Sequence, residues 1–387
     1  MQSKNSSDKK PYREYFTKEH ELLRRALRDF VKKEILPNIE EWEEVEEFPR
    51  ELYKKMANLG FLGVSFPEEV GGAAGDIFDS IVVSEELMRS GSGGLAAGLG
   101  SLGIALPPIC RKGTPEQIEK FVKPVLAGER IAALGITEPS GGSDVANIKT
   151  TAVRDGNHYI VNGSKTFITS GVRADQLTCA VRTGGEGAHG ISFLVIDSDT
   201  PGYSVGSKLK KTCWWASDTA EIFLDNCRVP AENLIGEENM GFYTIMENFQ
   251  MERLGMCVMT NMTSQMALEE AMKYAKKREA FGKPLTGFQV TRHKLVDMAT
   301  LVEVSREFTY RIAAKIDAGM NQVKEISMAK NFACDVSDKV TYEAVQIFGG
   351  YGFMRGYLVE RLYRDNRILS IGGGTREIMK EIISKLI

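Results

Sequence analysis

A chain of 387 residues, 43% hydrophobic and 26% charged, is long enough for two or three domains around a substantial core. Its formal net charge of −3 gives no global attraction to nucleic acid or to an anionic membrane, and no apolar run reaches bilayer-spanning length. Nucleic-acid binding and membrane insertion are therefore not expected.

The opening MQSKNSSDKKPYREYF is polar, lacks the apolar stretch of a secretory signal, and reads as a frayed tail. From Thr17 to about Gly128 the text is helical. In TKEHELLRRALRDFVKKEI, residues Leu22, Leu23, Leu27, Phe30, Val31 and Ile35 fall near the 3.6-residue period, with Thr17 as N-cap and Pro37 as the stop. PRELYKKMANLGFLG and TPEQIEKFVKPVLAG read as shorter helices, each ended by a glycine. GLGSLG, Gly98 to Gly103, matches the spacing of a dinucleotide fingerprint. It follows a helical stretch rather than a strand, and no acidic residue lies about twenty positions on, so a small-residue helix start or a pocket wall is the better reading.

From Ile131 to about Asn226 the pattern becomes short, β-branched and aromatic: KTTAVRDGNHYIVNGSKTFITSG, QLTCAVRTG, HGISFLVID and TAEIFLDN. Asp155-Gly156 signals a hairpin, and the region predicts an antiparallel β-barrel or sandwich rather than alternating β-α-β units. Beyond Gly241 long helical runs return. One begins FYTIMENFQMERLGM, and Gln289–Gly319, Gln322–Phe348 and a terminal pair follow, which predicts an antiparallel four-helix bundle. The nine methionines from Met240 to Met298 read as bundle core. The fold class expected is thus α+β and multidomain: a helical domain over 1–130, a barrel over 131–237 and a bundle over 238–387.

Six cysteines (Cys110, Cys179, Cys213, Cys227, Cys257, Cys334) have no paired spacing and imply reduced thiols in a cytoplasmic setting. His20, His158, His189 and His293 are equally dispersed, so no metal site is expected.

The chemistry concentrates in a few segments. LGITEPSGGSDVANIKTTA, Leu134 to Ala152, surrounds two glycines with hydroxyls, so backbone N–H groups and Ser143 could converge on a phosphate or an anionic ring edge; an ordinary strand-loop-strand turn is the plain alternative. This run resembles the flavin-binding signature of the acyl-CoA dehydrogenases. KTFITSG at Lys165, REAFGKPL at Arg278, QIFGGYGF at Gln346 and RLYRDNRILSIGGGT at Arg361 resemble further segments of that family, in order along nearly the whole chain.

The resemblance implies FAD as cofactor and an acyl-CoA as substrate. Thr137 and Ser143 would bond the flavin and its pyrophosphate, Phe167 would lie on a ring face, and Thr169 would donate near flavin N5. Family members often carry tryptophan where Phe167 stands. Ile136, Ile168, Thr375 and Glu377 belong to the same expected cofactor set. Arg278, Phe281, Gln289, Gln346, Gly349 and Gly350 resemble residues that reach the FAD of a neighbouring subunit. A guanidinium suits phosphate because it bonds two oxygens at once. The expected assembly is a homotetramer, a dimer of dimers, with an electron-transfer flavoprotein as electron acceptor in fatty-acid β-oxidation.

The family reaction needs a carboxylate at the substrate Cα and donors on the thioester oxygen. In many members that carboxylate precedes the GT of the last motif; here the position is Gly373, which offers only its N–H. The resemblance to isovaleryl-CoA and long-chain acyl-CoA dehydrogenases, with a small residue before GT and a Glu-Arg-Leu on the first bundle helix, implies Glu252 as the base. Gln250, Arg253, Ser143 and Gly373 would then contact substrate. A solvent-facing Glu-Arg pair is the plain alternative, but Met251, Leu254, Met256 and Val258 leave this helix poorly supplied with a polar face. Glu377 is the other local carboxylate, expected to face away. An acyl-CoA oxidase using O2 or a non-catalytic assembly flavoprotein would share the fold; oxygen consumption separates the first, and the MERL segment argues against the second.

Overall fold

The computed structural model describes residues 14–387, and the frayed tail expected at the very N-terminus falls largely outside that range. Thr17 caps the first helix, Lys18–Phe30, in a reciprocal arrangement: its hydroxyl accepts from the His20 N–H and the His20 ring accepts from the Thr17 N–H. The run ends in a single π-helical segment, Val31–Ile35, before Pro37. Leu27, Phe30, Val31 and Ile35 are buried, whereas Leu22 is 62% exposed. Five residues are about 140° of helix, which carries Leu22 off the face that Leu27 presents. Helix Glu51–Asn58 forms where expected, whereas the second breaks at Val122 into Pro115–Phe121 and Lys123–Leu126, since Pro124 has no N–H to continue it. Gly128 ends the helical region at φ +69°, where an added Cβ would stand 2.7 Å from the Tyr53 carbonyl oxygen. Gly98–Gly103 leads from one short helix, Gly93–Leu99, towards another, Leu102–Ala105, with no strand before it, so it forms no dinucleotide turn.

The middle of the chain forms β1 (Ala132–Gly135), β2 (Thr151–Asp155), β3 (His158–Thr169), β4 (Gln176–Arg182), β5 (Ile191–Asp197), β6 (Tyr203–Lys208), β7 (Thr219–Pro230) and β8 (Leu234–Ile235). The Asp155-Gly156 hairpin joins β2 to β3 as its sequence predicts. The predicted closed antiparallel barrel is corrected: the sheet is open, in the order β6-β7-β3-β2-β4-β5-β8, with β1 on β4. Two contacts, β1 with β4 and β2 with β4, are parallel. Both join strands separated by long connections, which local periodicity does not register. β4 and β5 are buried on both faces. Leu177, Cys179, Val181, Leu194 and Ile196 fill the sheet's own core, while Ala180, Phe193 and Val195 belong to the larger core shared with the helices. The sheet is thereby anchored to the helices by the alternate side chains of its central strands.

The C-terminal region is a bundle of Gly241–Lys277, Gln289–Asp317, Val323–Phe348 and Leu358–Leu369, closed by Arg376–Ser384. The hairpin Glu279–Ala280 with Lys283–Pro284 lies between the first two. Of the nine methionines, Met256, Met262, Met266 and Met298 are core, but Met240, Met251 and Met272 are exposed, so the reading of all nine as core is corrected. All six cysteines are free thiols. Among the described residues no single helix is long and apolar enough to cross a membrane.

Candidate active site

The loop after β1 is held from beneath by one carboxylate. Glu138, buried, accepts from the Thr150 N–H (2.9 Å) and Lys165 Nζ (2.7 Å) at Oε1, and from the Lys149 N–H (2.6 Å) at Oε2. Lys165 Nζ also donates to the Ile136 carbonyl at 3.3 Å. Burial acts to raise the Glu138 carboxyl, but the Lys165 ammonium and the N–H donors outweigh it and hold the group at about 2. The Thr166 N–H donates to the Thr137 carbonyl at 2.9 Å, tying this loop to β3. Ile136 is buried, Thr137 is half-buried, and Gly141, Gly142 and Ser143 are exposed. Among the described residues the N–H groups of Gly142 and Ser143 meet no acceptor, and neither does the Ser143 hydroxyl.

Strand alternation alone would put Lys165 and Phe167 on one face. A register shift between Lys165 and Ile168 in the β3–β7 pairing breaks that rule. Lys165 and Ile168 are buried, while Phe167 is turned out at φ +59° and is 69% exposed. A large aromatic in the left-handed region is strained, and its ring offers a flat apolar face to solvent. Thr169 is half-buried at the strand's end. Exposed ring, open glycines and unpaired N–H groups together fit a flat anionic cofactor such as FAD.

A second group lies at the far end of the bundle. Arg278, Gly349 and Gly350 line a cavity of about 540 Å³ with Tyr274, Leu285 and Tyr351. The Arg278 guanidinium has no hydrogen-bond or ion-pair partner among the described residues. Phe281, on the hairpin, is 96% exposed at φ +51°. Gln289 and Gln346 are exposed. No residue of the Glu138 loop or of Phe167–Thr169 lines this cavity.

Between them in the sequence, the long helix carries Glu252. Leu254, Met256 and Val258 beside it are buried, but Met251 is 37% exposed. Glu252 Oε1 lies 3.7 Å from where a Cβ on Gly373 would stand, and Oε2 is enclosed without a hydrogen-bond partner. Burial pushes this carboxyl up from its ordinary range, against the pull of the Arg253 and Lys330 cations. Arg253 Nε donates to the Gly373 carbonyl at 3.1 Å, and Lys330 Nζ donates to the Gly374 carbonyl at 2.6 Å. Gly373 and Gly374 stand at φ +62° and +102°, which only glycine adopts without strain. Among the described residues their N–H groups meet no acceptor. Gln250 is half-buried one residue before Met251. Thr375 caps the last helix through the Ile378 N–H, and Glu377 is exposed in its first turn.

The Gly93-Gly94 and Trp214-Trp215 pairs read from sequence as acyl-tunnel walls or plain core, and sequence reasoning missed Asp365 and Lys330. Trp214, at φ +56°, packs on Gly93: its indole nitrogen would be 2.3 Å from a Cβ there. The Trp214 and Gly93 N–H groups both donate to buried Asp365, at 2.9 and 3.0 Å. Burial and the neighbouring Glu43 push Asp365 up to about 7. Trp214 also packs in the cluster containing Met256, whose Cγ is 3.6 Å from the Gly373 Cβ position. The signal available was a charged residue inside an apolar helical face, as for Lys330 and Asp365. The fold also brings His20, Asp76 and Asp79 together, which sequence spacing does not show; there the carboxylates cap the Ile77–Met88 helix.

Models of the acyl-CoA dehydrogenase N-terminal, middle and C-terminal domains match residues 17–129, 133–227 and 239–387. An acyl-CoA dehydrogenase of Bacillus subtilis is 40% identical over 377 residues, covering 96% of this chain and 98% of that one. The caffeyl-CoA reductase–Etf complex subunit CarC of Acetobacterium woodii is 37% identical, covering 96% and 99%. Among solved structures, a probable acyl-CoA dehydrogenase from Mycobacterium abscessus superposes with a TM-score of 0.95 at 52% identity, covering 96% of this chain and 99% of that one. An acyl-CoA dehydrogenase complexed with FAD from Bacillus anthracis superposes at 0.91 with 33% identity, covering 97% and 67%.

Proposed function

Since the chain belongs to the acyl-CoA dehydrogenase family, we propose that Glu252 is the base with which it removes the α-proton of an acyl-CoA thioester. The enzyme is an FAD-dependent acyl-CoA dehydrogenase, forming the 2,3-enoyl thioester. FAD, when bound, supplies the acceptor for the β-hydride. One observation carries the reading: the Glu252 carboxylate reaches the space that the missing Gly373 side chain leaves, 3.7 Å from the would-be Cβ. Burial raises its proton affinity against the pull of two cations, which suits a group that must take a proton from carbon. The Gly373 N–H, free of any internal acceptor among the described residues, would donate to the thioester oxygen as negative charge grows there. Gln250, Arg253 and Ser143 complete the proposed substrate contacts.

Ile136, Thr137, Ser143, Phe167, Ile168 and Thr169 would hold FAD in their own subunit, with Thr375 and Glu377 at its edge. Arg278, Phe281, Gln289, Gln346, Gly349 and Gly350 would serve the FAD of a neighbour. The cavity beside the partnerless Arg278, which none of the first group lines, supports a site shared between subunits, and the assembly proposed is a homotetramer built as a dimer of dimers. The electron acceptor proposed is an electron-transfer flavoprotein, supported by the similarity to an Etf-complex subunit. A role in β-oxidation in a cytoplasmic, reducing compartment is consistent with six free thiols. The domain limits 1–130, 131–237 and 238–387 stand as the proposed division.

Glu252→Gln tests the assignment, because it keeps the shape and removes the proton acceptor. Turnover is expected to fall by roughly 10²–10⁴ while acyl-CoA still perturbs the flavin spectrum. Adding Gly373→Glu is expected to recover part of the rate. The Cβ position there has only 3.6–3.7 Å contacts, so it is free of clashes, but φ +62° makes the recovery incomplete. Near-normal turnover in Glu252→Gln alone sinks the assignment and moves it to Glu377.

A further inference from the structure

Lys330 has no part in the reaction described above, yet it is among the most deeply buried side chains of the bundle, 1% exposed. It projects from the Val323–Phe348 helix, and among the described residues no carboxylate lies within ion-pair distance of it. Its ammonium makes one hydrogen bond, to the Gly374 carbonyl at 2.6 Å. Its Cε stands 3.6 Å from the Gly373 Cβ position, and Glu252 Oε1 stands 3.7 Å from the same point. A cation in so dry a place is costly unless a negative charge answers it. Burial lowers its proton affinity; the Glu252 carboxylate acts to keep it protonated, and Arg253 opposes it.

We propose that Lys330 is a positioning residue for the dehydrogenation: it holds the Gly374 carbonyl of the glycine loop and adds to Arg253 a positive charge that favours the ionised form of Glu252. The inference rests on Glu252 being the base. Two carbonyls in succession are held by two cations, Gly373 by Arg253 and Gly374 by Lys330, and this leaves the loop N–H groups free to donate. The charged groups facing Glu252 are Arg253 on its own helix and Lys330 on the neighbouring one. The thiols of Cys257 and Cys334 flank the lysine. The glycine loop adds no ionisable side chain before Arg376, which is engaged by Asp335 and Asp338. Asp365 accepts from the Trp214 N–H and Glu43 from the Ala216 N–H, each on an element other than the Glu252 helix.

The sign follows directly. Removing the cation raises the Glu252 carboxyl further, so the base becomes ionised only at higher pH. In the FAD-loaded enzyme, Lys330→Met is expected to move the acid limb of kcat/KM upward by about one pH unit, the lower end of the effect of a nearby opposite charge. Lys330→Arg should return the limb most of the way. A second readout needs no turnover: exchange of acyl-CoA α-protons with D2O in enzyme reduced beforehand should show the same displacement. Lys330→Gln, which keeps a donor without charge, serves where the Met variant does not fold. An acid limb that stays in place in a folded, FAD-replete Met or Gln variant overturns the proposal, as does an Arg variant no better than Met. Glu252→Gln measured alongside separates the two readings: its retention of activity would sink the base assignment itself, whatever Lys330 does.

Discussion

In the sheet, Lys165 is fully buried against Glu138, whose two oxygens also take backbone N–H groups; in the bundle, Lys330 is buried as deeply but donates to a single peptide carbonyl. The two regions bury the same cation in different ways. Around Lys165 the opposite charge is within hydrogen-bond distance, and the carboxylate's proton affinity is driven down to about 2. Around Lys330 the nearby carboxylate, Glu252, keeps an oxygen without a partner and its proton affinity is raised. A closed ion pair holds a loop in one shape, whereas a carboxylate left short of partners remains available to take a proton. The difference teaches where this fold spends rigidity and where it keeps reactivity.

The comparison can be broken most severely at the sheet. Lys165→Met strands a buried carboxylate, and stability should fall by about 3–5 kcal/mol in urea unfolding. The double variant Glu138→Gln with Lys165→Met should recover much of that loss. Since the Glu138 carboxyl is depressed in the folded state, the pair's contribution is complete above the ordinary carboxylate range and is lost as pH falls towards about 2. The advantage of the wild type over the double variant should therefore shrink across that acid window and stay constant above it. A gap independent of pH would show that the pair does not carry the loop.

A third cation sharpens the contrast because it has no partner among the described residues. Arg278→Ala should leave the fold intact and weaken FAD retention by about 1.5–3 kcal/mol, the worth of a hydrogen bond to a charged group. Flavin content after gel filtration reads it, and undiminished FAD would remove Arg278 from the cofactor set. The smallest effect belongs to Lys330→Met in stability terms. It strands no carboxylate at hydrogen-bond distance, so unfolding should shift by about 1 kcal/mol, the scale of one ordinary hydrogen bond. A loss as large as that of Lys165→Met would mean that the two lysines are equivalent structural pins.

Much of this molecule was legible in local chemistry. The Thr17 cap, the Asp155-Gly156 hairpin and the helix–strand–helix succession each depend on residues within a few positions, and they formed as read. The glycine at 373 and the apolar helix around Glu252 were visible too, and the structure brings them within contact of each other. Leu22 went wrong because a loose match to the helical period tolerates residues at the edge of the stripe. Phe167 could not be placed from alternation because a bulge resets the face in mid-strand.

The sequence by itself determined the elements, their order, and the residue types available for a flavin and an acyl thioester. The tertiary structure alone decided that the sheet stays open, which strands pair in parallel, and which charges meet. Lys330 and the Gly374 carbonyl it holds are 44 residues apart, and Lys165 and Glu138 are 27 apart. Periodicity and turn chemistry act over one or two turns of chain, so they are written locally. The partner of a buried charge depends on which distant segment the core brings against it, and that is fixed only when the core closes.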